Sequence, residues 1–174
     1  MKVNEIKGDL ITLAENGMFD VIAQGNNCFC AQKSGLAPQM VKAFNTDTFP
    51  LEDEDRLGDI NKLGQIDFQH FYVATLTLPE PKKLETLNGL EMTKLVVVNC
   101  YTQYGTKRLD NQTPIDYEAL TLCLRKINSI FKGKHVGLPF IGAGLAGGDW
   151  TRIKQIILDE LMDCEITIVE YGKN

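Results

Sequence analysis

Between Leu138 and Trp150 the chain reads LPFIGAGLAGGDW, with Gly142, Gly144, Gly147 and Gly148 set between a short apolar run and an Asp-Trp-Thr step that opens a helical pattern. Strand, glycine-rich turn and helix start, in that order, present bare backbone N–H groups and the positive end of a helix to an anion, most often a phosphate. Glycine serves there because it tolerates φ > 0 and lets a ligand reach the main chain. Neither common nucleotide loop is present. No Lys-Ser/Thr pair follows the glycines, and the G-x-G pair lacks a third glycine at dinucleotide-binding spacing. The stretch alone leaves two readings open, an anion cradle and a glycine-rich turn with no ligand.

Two further loops carry polar groups of the same kind. Val21 to Gln24 reads as a strand covered on both faces and runs into the turn-prone Gly25-Asn26-Asn27. After Lys33-Ser34-Gly35, the residues Leu36, Met40, Val41 and Phe44 recur at helical spacing, with Ser34 placed to cap them. The third loop, Thr102 to Gly105, follows Lys94 to Tyr101 (KLVVVNCY), the most strand-like run in the chain. None of the three offers a close Ser/His/Asp or Cys/His set. His70 falls in an expected turn, and His135 starts a strand at the end away from the loops. Cys28 and Cys30 have no second ligand pair nearby, so no metal site is expected, and no cofactor. Asp149 is the carboxylate of the last loop, and its type suits either a helix cap or a group facing a ligand.

The elements that must hold these loops alternate. Val3 to Ile6 reads as a strand, and Asp9 is placed to cap a short helix over Leu10 to Ala14. Gly64 to Phe68 and Phe71 to Leu76 read as two strands about a turn at Gln69-His70. Pro79 to Lys83 reads as a connector, and Leu84 to Thr93 as irregular or a short extension. The acidic run Glu52 to Asp55 reads as a solvated loop, since it lacks calcium-loop spacing. Pro114 opens a long helix that Lys132-Gly133 closes, His135 to Leu138 forms a strand, Ile153 to Leu161 a helix and Glu165 to Glu170 the last strand. Strands alternating with helices of about 12 to 18 residues imply an α/β sandwich with a mostly parallel sheet, in one domain over residues 1–174. Ligands in such folds lie at the carboxyl ends of the strands, where all three loops fall.

Composition narrows the classes. A length of 174 residues, 44% apolar and 24% charged, is that of a soluble globule with a substantial core. A net charge of −5 argues against a broad nucleic-acid or anionic-membrane surface. No run of about 18 apolar residues occurs, so no membrane span is expected. Glu5 and Asp9 stand where a signal peptide needs its apolar run. Five cysteines, odd in number and mostly inside apolar runs, are expected to be reduced, which implies a cytoplasmic location.

The chain resembles the macrodomains, which bind ADP-ribose. The resemblance rests on Gly8-Asp9-Leu10, on Val21 to Cys28 followed by Ser34-Gly35-Leu36-Ala37, and on Ile141-Gly142-Ala143-Gly144-Leu145, in that order over nearly the whole chain. It is nearest to the branch with the yeast ADP-ribose 1″-phosphate phosphatase and the human terminal ADP-ribose glycohydrolase. The resemblance implies a three-layer α/β/α sandwich with a mixed, mostly parallel sheet. It implies that Asp9, beside the Leu10 backbone, accepts a hydrogen bond from the adenine amino group. Asn27, Cys28, Ser34, Gly35 and Leu36 match the loop around the distal ribose and one phosphate. Ile141, Gly142, Ala143, Gly144, Leu145 and Ala146 match the loop whose N–H groups cradle the pyrophosphate. An aromatic of the last strand often stacks on adenine in this branch, and Tyr171 stands two residues beyond that position.

The chain departs from the branch at the catalytic positions. Gln24 stands where the phosphatase has a histidine, and Gln103 and Ala146 stand near the lysine and at the aspartate of the glycohydrolase. An amide is neither a nucleophilic amine nor a base near neutral pH. The favoured expectation is a hydrolase of an ADP-ribose derivative, acting on a 1″-phosphate or an O-linked ADP-ribose, with Asn27 and Asp149 as contributors. The alternative is a non-catalytic ADP-ribose binding module, and a macrodomain-like receptor for another nucleotide or RNA ranks third.

Overall fold

The structure, a computed structural model, describes residues 3–49, 57–74, 85–87, 90–106 and 114–172. Its strands are β1 (Val3–Gly8), β2 (Val21–Asn27), β3 (Ile66–Ala74), β4 (Glu85–Leu87), β5 (Leu90–Gln103), β6 (His135–Leu138) and β7 (Glu165–Tyr171). Its helices are α1 (Leu10–Glu15), α2 (Ala37–Phe44), α3 (Tyr117–Ile130) and α4 (Trp150–Glu160). They form the α/β sandwich expected, with strand order β1-β7-β6-β2-β5-β3 and β4 added to the first part of β5. The neighbouring pairs among β1, β7, β6, β2 and β5 are parallel, and β3 and β4 run antiparallel to β5.

The apolar runs in the middle strands exist because both faces of the sheet are covered. Val21, Ala23, Val96 and Val98 point into one core with Leu120, Leu124 and Ile127 of α3 and Ile153 and Ile157 of α4. Ile22, Leu95 and Val97, offset by one residue, point into the other with Leu10 and Ala14 of α1 and Met40 and Phe44 of α2. Gly137 in β6 is required by packing, since a Cβ there would lie 2.8 Å from the fully buried Phe19 ring. Because β1, β7, β6, β2 and β5 run parallel, their carboxyl-end loops lie towards one rim of the molecule.

Several boundaries differ from those read in the sequence. Gln69-His70 is not a turn, because β3 runs unbroken from Ile66 to Ala74 with nine continuous partners on β5. Those two polar residues are exposed on a strand at the end of the sheet order. The triplet Gly25-Asn26-Asn27 belongs to β2, held by pairing to Cys100, Tyr101 and Gln103 of β5. Pro114 precedes α3 by three residues; the helix starts at Tyr117 behind Asp116, whose carboxylate accepts the Ala119 N–H at 2.9 Å. The helices, at 6, 8, 14 and 11 residues, are mostly shorter than expected. β5 begins at Leu90, inside the stretch read as irregular or a short extension. The acidic run and the Pro79 to Lys83 connector lie outside the described residues.

All five cysteines are free and buried. Burial pushes the Cys28 thiol from 9.0 to about 11, against the opposing pull of the Lys62 charge. Because the folded value is the higher, Cys28 favours the native state at neutral pH, and that contribution fades as pH climbs from 9 towards 11. Its thiolate fraction at pH 8 is about one part in a thousand. Ellman's reagent at pH 8 is expected to titrate essentially no thiol in the folded protein and all five in guanidinium; rapid native modification of Cys28 would contradict this burial.

Candidate functional site

A cleft of about 280 Å³ opens where β2, β5 and β6 end. One wall begins with the start of α2. Three of the four helices are capped by an aspartate: Asp9 accepts the Thr12 N–H, Asp116 the Ala119 N–H and Asp149 the Thr151 N–H. Helix α2 is the exception. Its N-cap is Leu36, in helical conformation and with no side-chain hydrogen bond, so Ser34 is not the cap that its position suggested. The N–H groups of Ser34, Gly35 and Leu36 have no partner among the described residues, and all three residues line the cleft. An uncapped helix start with nothing negative on it is a place for a ligand anion.

The facing wall is the loop after β6, which folds on its own backbone. Ile141 N–H bonds to Pro139 O (2.6 Å), Ala143 to Phe140 O (3.1 Å), Gly147 to Gly144 O (2.9 Å) and Gly148 to Gly142 O (2.8 Å). The N–H groups of Gly142, Leu145 and Ala146 are left without a partner among the described residues. The glycines divide by cause. Gly142 has φ +74° and a Cβ there would lie 2.1 Å from Ile115 Cδ1, so the protein itself requires glycine. Around Gly144 an added Cβ meets nothing within 4 Å, although the residue lines the cleft, so its missing side chain leaves room for something else. The exposed Leu145 comes within 3.5 Å of where a Gly35 Cβ would stand, so the two walls meet across the mouth.

The β2 loop is rigid. Asn27 Oδ1 accepts the N–H groups of Phe29 and Ala31, each at 3.1 Å, and its Nδ2 donates to Ala31 O at 3.0 Å. Its side chain holds the loop and has little capacity left for a substrate. Cys28 is buried, is not among the residues lining the cleft, and gives its N–H to Gln103 O and Tyr104 O. Of the residues expected around the ligand, Cys28 thus stands outside the lining of this cleft.

The structure brings Asn27, Ser34, Gly35, Leu36, Ile141, Gly142, Gly144, Leu145 and Ala146 around one cleft. Ala143 packs against the core instead. Asp9, Leu10 and Tyr171 stand together at the ends of β1 and β7, where Gly8 pairs with Tyr171, on the same rim but outside the cleft. Asp149 also lies outside it. Its carboxylate caps α4 and its N–H is held at 2.8 Å by the Tyr117 hydroxyl, so the cap reading prevails. Sequence reasoning placed Gln24 at a catalytic position of the resembled branch and Asn26 and Thr102 in the polar loops, but named none of them as a ligand contact. The signal for the first two was their i, i+2 spacing, which puts both on one face of a strand. No ionisable side chain lines the cleft among the described residues, and no group of His, Cys, Asp and Glu there could hold a metal ion.

Exchanging Gly142 for alanine is expected to destabilise the fold by about 1–3 kcal/mol, as overpacking and a forced left-handed φ do. The same exchange at Gly144 is expected to leave stability within about 0.5 kcal/mol. Urea denaturation of both variants tests this division, and equal losses would refute it.

No protein-family profile matches the chain. It is 30% identical over 175 residues to the uncharacterized 17.5 kDa protein in the tk-vs intergenic region of Enterobacteria phage T4, covering 98% of this chain and 97% of that one. Its fold matches the Streptomyces coelicolor macrodomain protein, with a TM-score of 0.62, 19% identity and coverage of 98% and 100% of the two chains. It also matches the Trypanosoma brucei macrodomain in complex with ADP-ribose, with a TM-score of 0.57, 14% identity and coverage of 98% and 64%.

Proposed function

The chain belongs to the family of the 17.5 kDa phage T4 protein and has the macrodomain fold, and from that premise we propose that it binds ADP-ribose. The observation that carries the reading is the pair of amide rows without a partner among the described residues, Ser34 to Leu36 and Gly142 with Leu145 and Ala146, whose residues line one cleft. Two such rows suit a pyrophosphate, which offers acceptors on both sides and needs donors fixed in advance. The open space at Gly144 gives the phosphates their approach to the main chain. Asp9 and Leu10 are assigned to the adenine amino group and Tyr171, 59% exposed, to the adenine face, since they stand on the same rim at the ends of β1 and β7.

Within this reading the cleft suits a binding module better than an acid–base hydrolase. General acid or base work needs a titratable group in reach, and none lines the cleft among the described residues. Asn27 acts as a positioning residue, because its amide is spent on its own loop. Hydrolysis of a 1″-phosphate or an O-linked ADP-ribose remains as the second reading only through substrate-assisted attack of water, held by loop amides.

Titration calorimetry with ADP-ribose is expected to show saturable binding that Gly144→Val weakens at least tenfold, because the branched side chain fills the space meant for phosphate. Asp149→Ala is expected to lower stability by about 1 kcal/mol as a lost helix cap and to leave affinity unchanged. A ³¹P NMR time course with ADP-ribose 1″-phosphate is expected to release no phosphate. Release in proportion to protein would establish the hydrolase reading in place of the binding module.

A further inference from the structure

The floor of the cleft carries polar atoms that the protein orients and then leaves unused. Gln24 and Asn26 are 2% and 4% exposed and line the cleft side by side on one face of β2. Gln24 Oε1, Asn26 Nδ2 and Thr102 Oγ1, the last also of a lining residue, are buried and have no hydrogen-bond partner among the described residues. A buried polar group left so costs about 1–3 kcal/mol, which a ligand group of the right polarity relieves.

The polarity of both amides is fixed by backbone atoms that cannot exchange roles. Thr46 O is a carbonyl and only accepts; Asn99 Nδ2 donates to it at 2.7 Å, which turns Asn99 Oδ1 towards Gln24. Gln24 Nε2 must then be the atom that donates to Asn99 Oδ1, at 2.9 Å, and it donates also to Gln32 Oε1 at 2.9 Å. Thr46 Oγ1 donates to the same Gln32 oxygen at 2.6 Å. Both Gln24 amide protons are consumed, and what remains for a ligand is an acceptor. At Asn26 the same logic gives the opposite result. Its Oδ1 accepts the Asn27 N–H at 3.0 Å, so the free atom is a donor. Gln24, Gln32, Asn99 and Thr46 are all buried, so water does not scramble these orientations.

Resting on the ADP-ribose reading above, we propose that this floor selects an uncharged, hydroxyl-bearing sugar terminus and rejects a terminal phosphate, with Gln24 as the specificity-determining residue. A sugar hydroxyl both donates and accepts, so adjacent hydroxyls satisfy Gln24 Oε1 and Asn26 Nδ2 together. A phosphate monoester is mostly a dianion at pH 7 and above, with few protons to offer. Beside Gln24 Oε1 it places one lone-pair surface against another, and the neutral donors at Asn26 and Thr102 do not offset burying its charge. The protein that results holds ADP-ribose released with a free terminus and discriminates against the form phosphorylated there.

Calorimetry on the intact chain with ADP, ADP-ribose and ADP-ribose 1″-phosphate tests this, using the wild type and Gln24→Met, a near-isostere without the acceptor. The wild type is expected to bind ADP-ribose at least tenfold tighter than its 1″-phosphate. Gln24→Met is expected to weaken ADP-ribose about tenfold and narrow that preference, while ADP, which lacks the distal sugar, is affected little. Equal or tighter binding of the 1″-phosphate by the wild type overturns the proposal, whether or not the variant folds. A Gln24→Met variant that weakens ADP and ADP-ribose alike, or neither, overturns it as well. Failure of all three ligands to bind defeats the ADP-ribose reading itself, and the proposal with it.

Discussion

A helix start bears roughly half a positive charge only while nothing in the protein neutralises it, and the rim of this sheet is arranged around the one α-helix among the described residues where that holds. Asp9, Asp116 and Asp149 neutralise the starts of α1, α3 and α4 from within. Helix α2 follows Gly35 at φ +66° and is entered through Leu36, whose side chain offers no oxygen. Its amides are left to water or to a ligand. The parallel run of β1, β7, β6, β2 and β5 matters because it delivers this helix and the β6 loop to the same rim, where residues of both line one cleft.

The rest of the site follows from keeping that space open and dry of side-chain charge. Gly142 and Gly148 are glycines because Ile115, Ile153 and the Gly142 carbonyl leave no room for a Cβ, which locks the loop shape. Gly144 is free of such pressure and therefore reads as ligand clearance. Beneath it, amides and hydroxyls stand in place of the titratable groups that hydrolytic chemistry would need. The relay from Thr46 through Asn99 and Gln32 to Gln24 places four polar side chains in a buried layer, tolerable because most of their capacity is met internally.

Much of the fold was legible because burial on both faces writes itself as unbroken apolar runs, as in Val21 to Ala23 and Leu95 to Val98. The His135 to Leu138 strand and the turn after it also read correctly. What failed was polarity at the edge and at the ends of strands. Gln69-His70 looked like a turn because an edge strand faces water and need not be apolar. Asn26 and Asn27 looked like a turn because their types favour one, yet pairing with β5 outweighs that preference. Asp149 could not be decided from residue types, since a capping and a ligand-facing aspartate look alike in sequence. Its 2.8 Å bond to the Thr151 N–H establishes the cap.

The most direct measurement of the central claim is an amide ¹H–¹⁵N shift map of the labelled protein titrated with ADP-ribose. The account predicts the largest shifts at Ser34 to Leu36 and at Gly142 to Ala146, with smaller ones at Asp9, Leu10 and Tyr171. Saturable binding that leaves both amide rows unmoved and shifts residues elsewhere would contradict it.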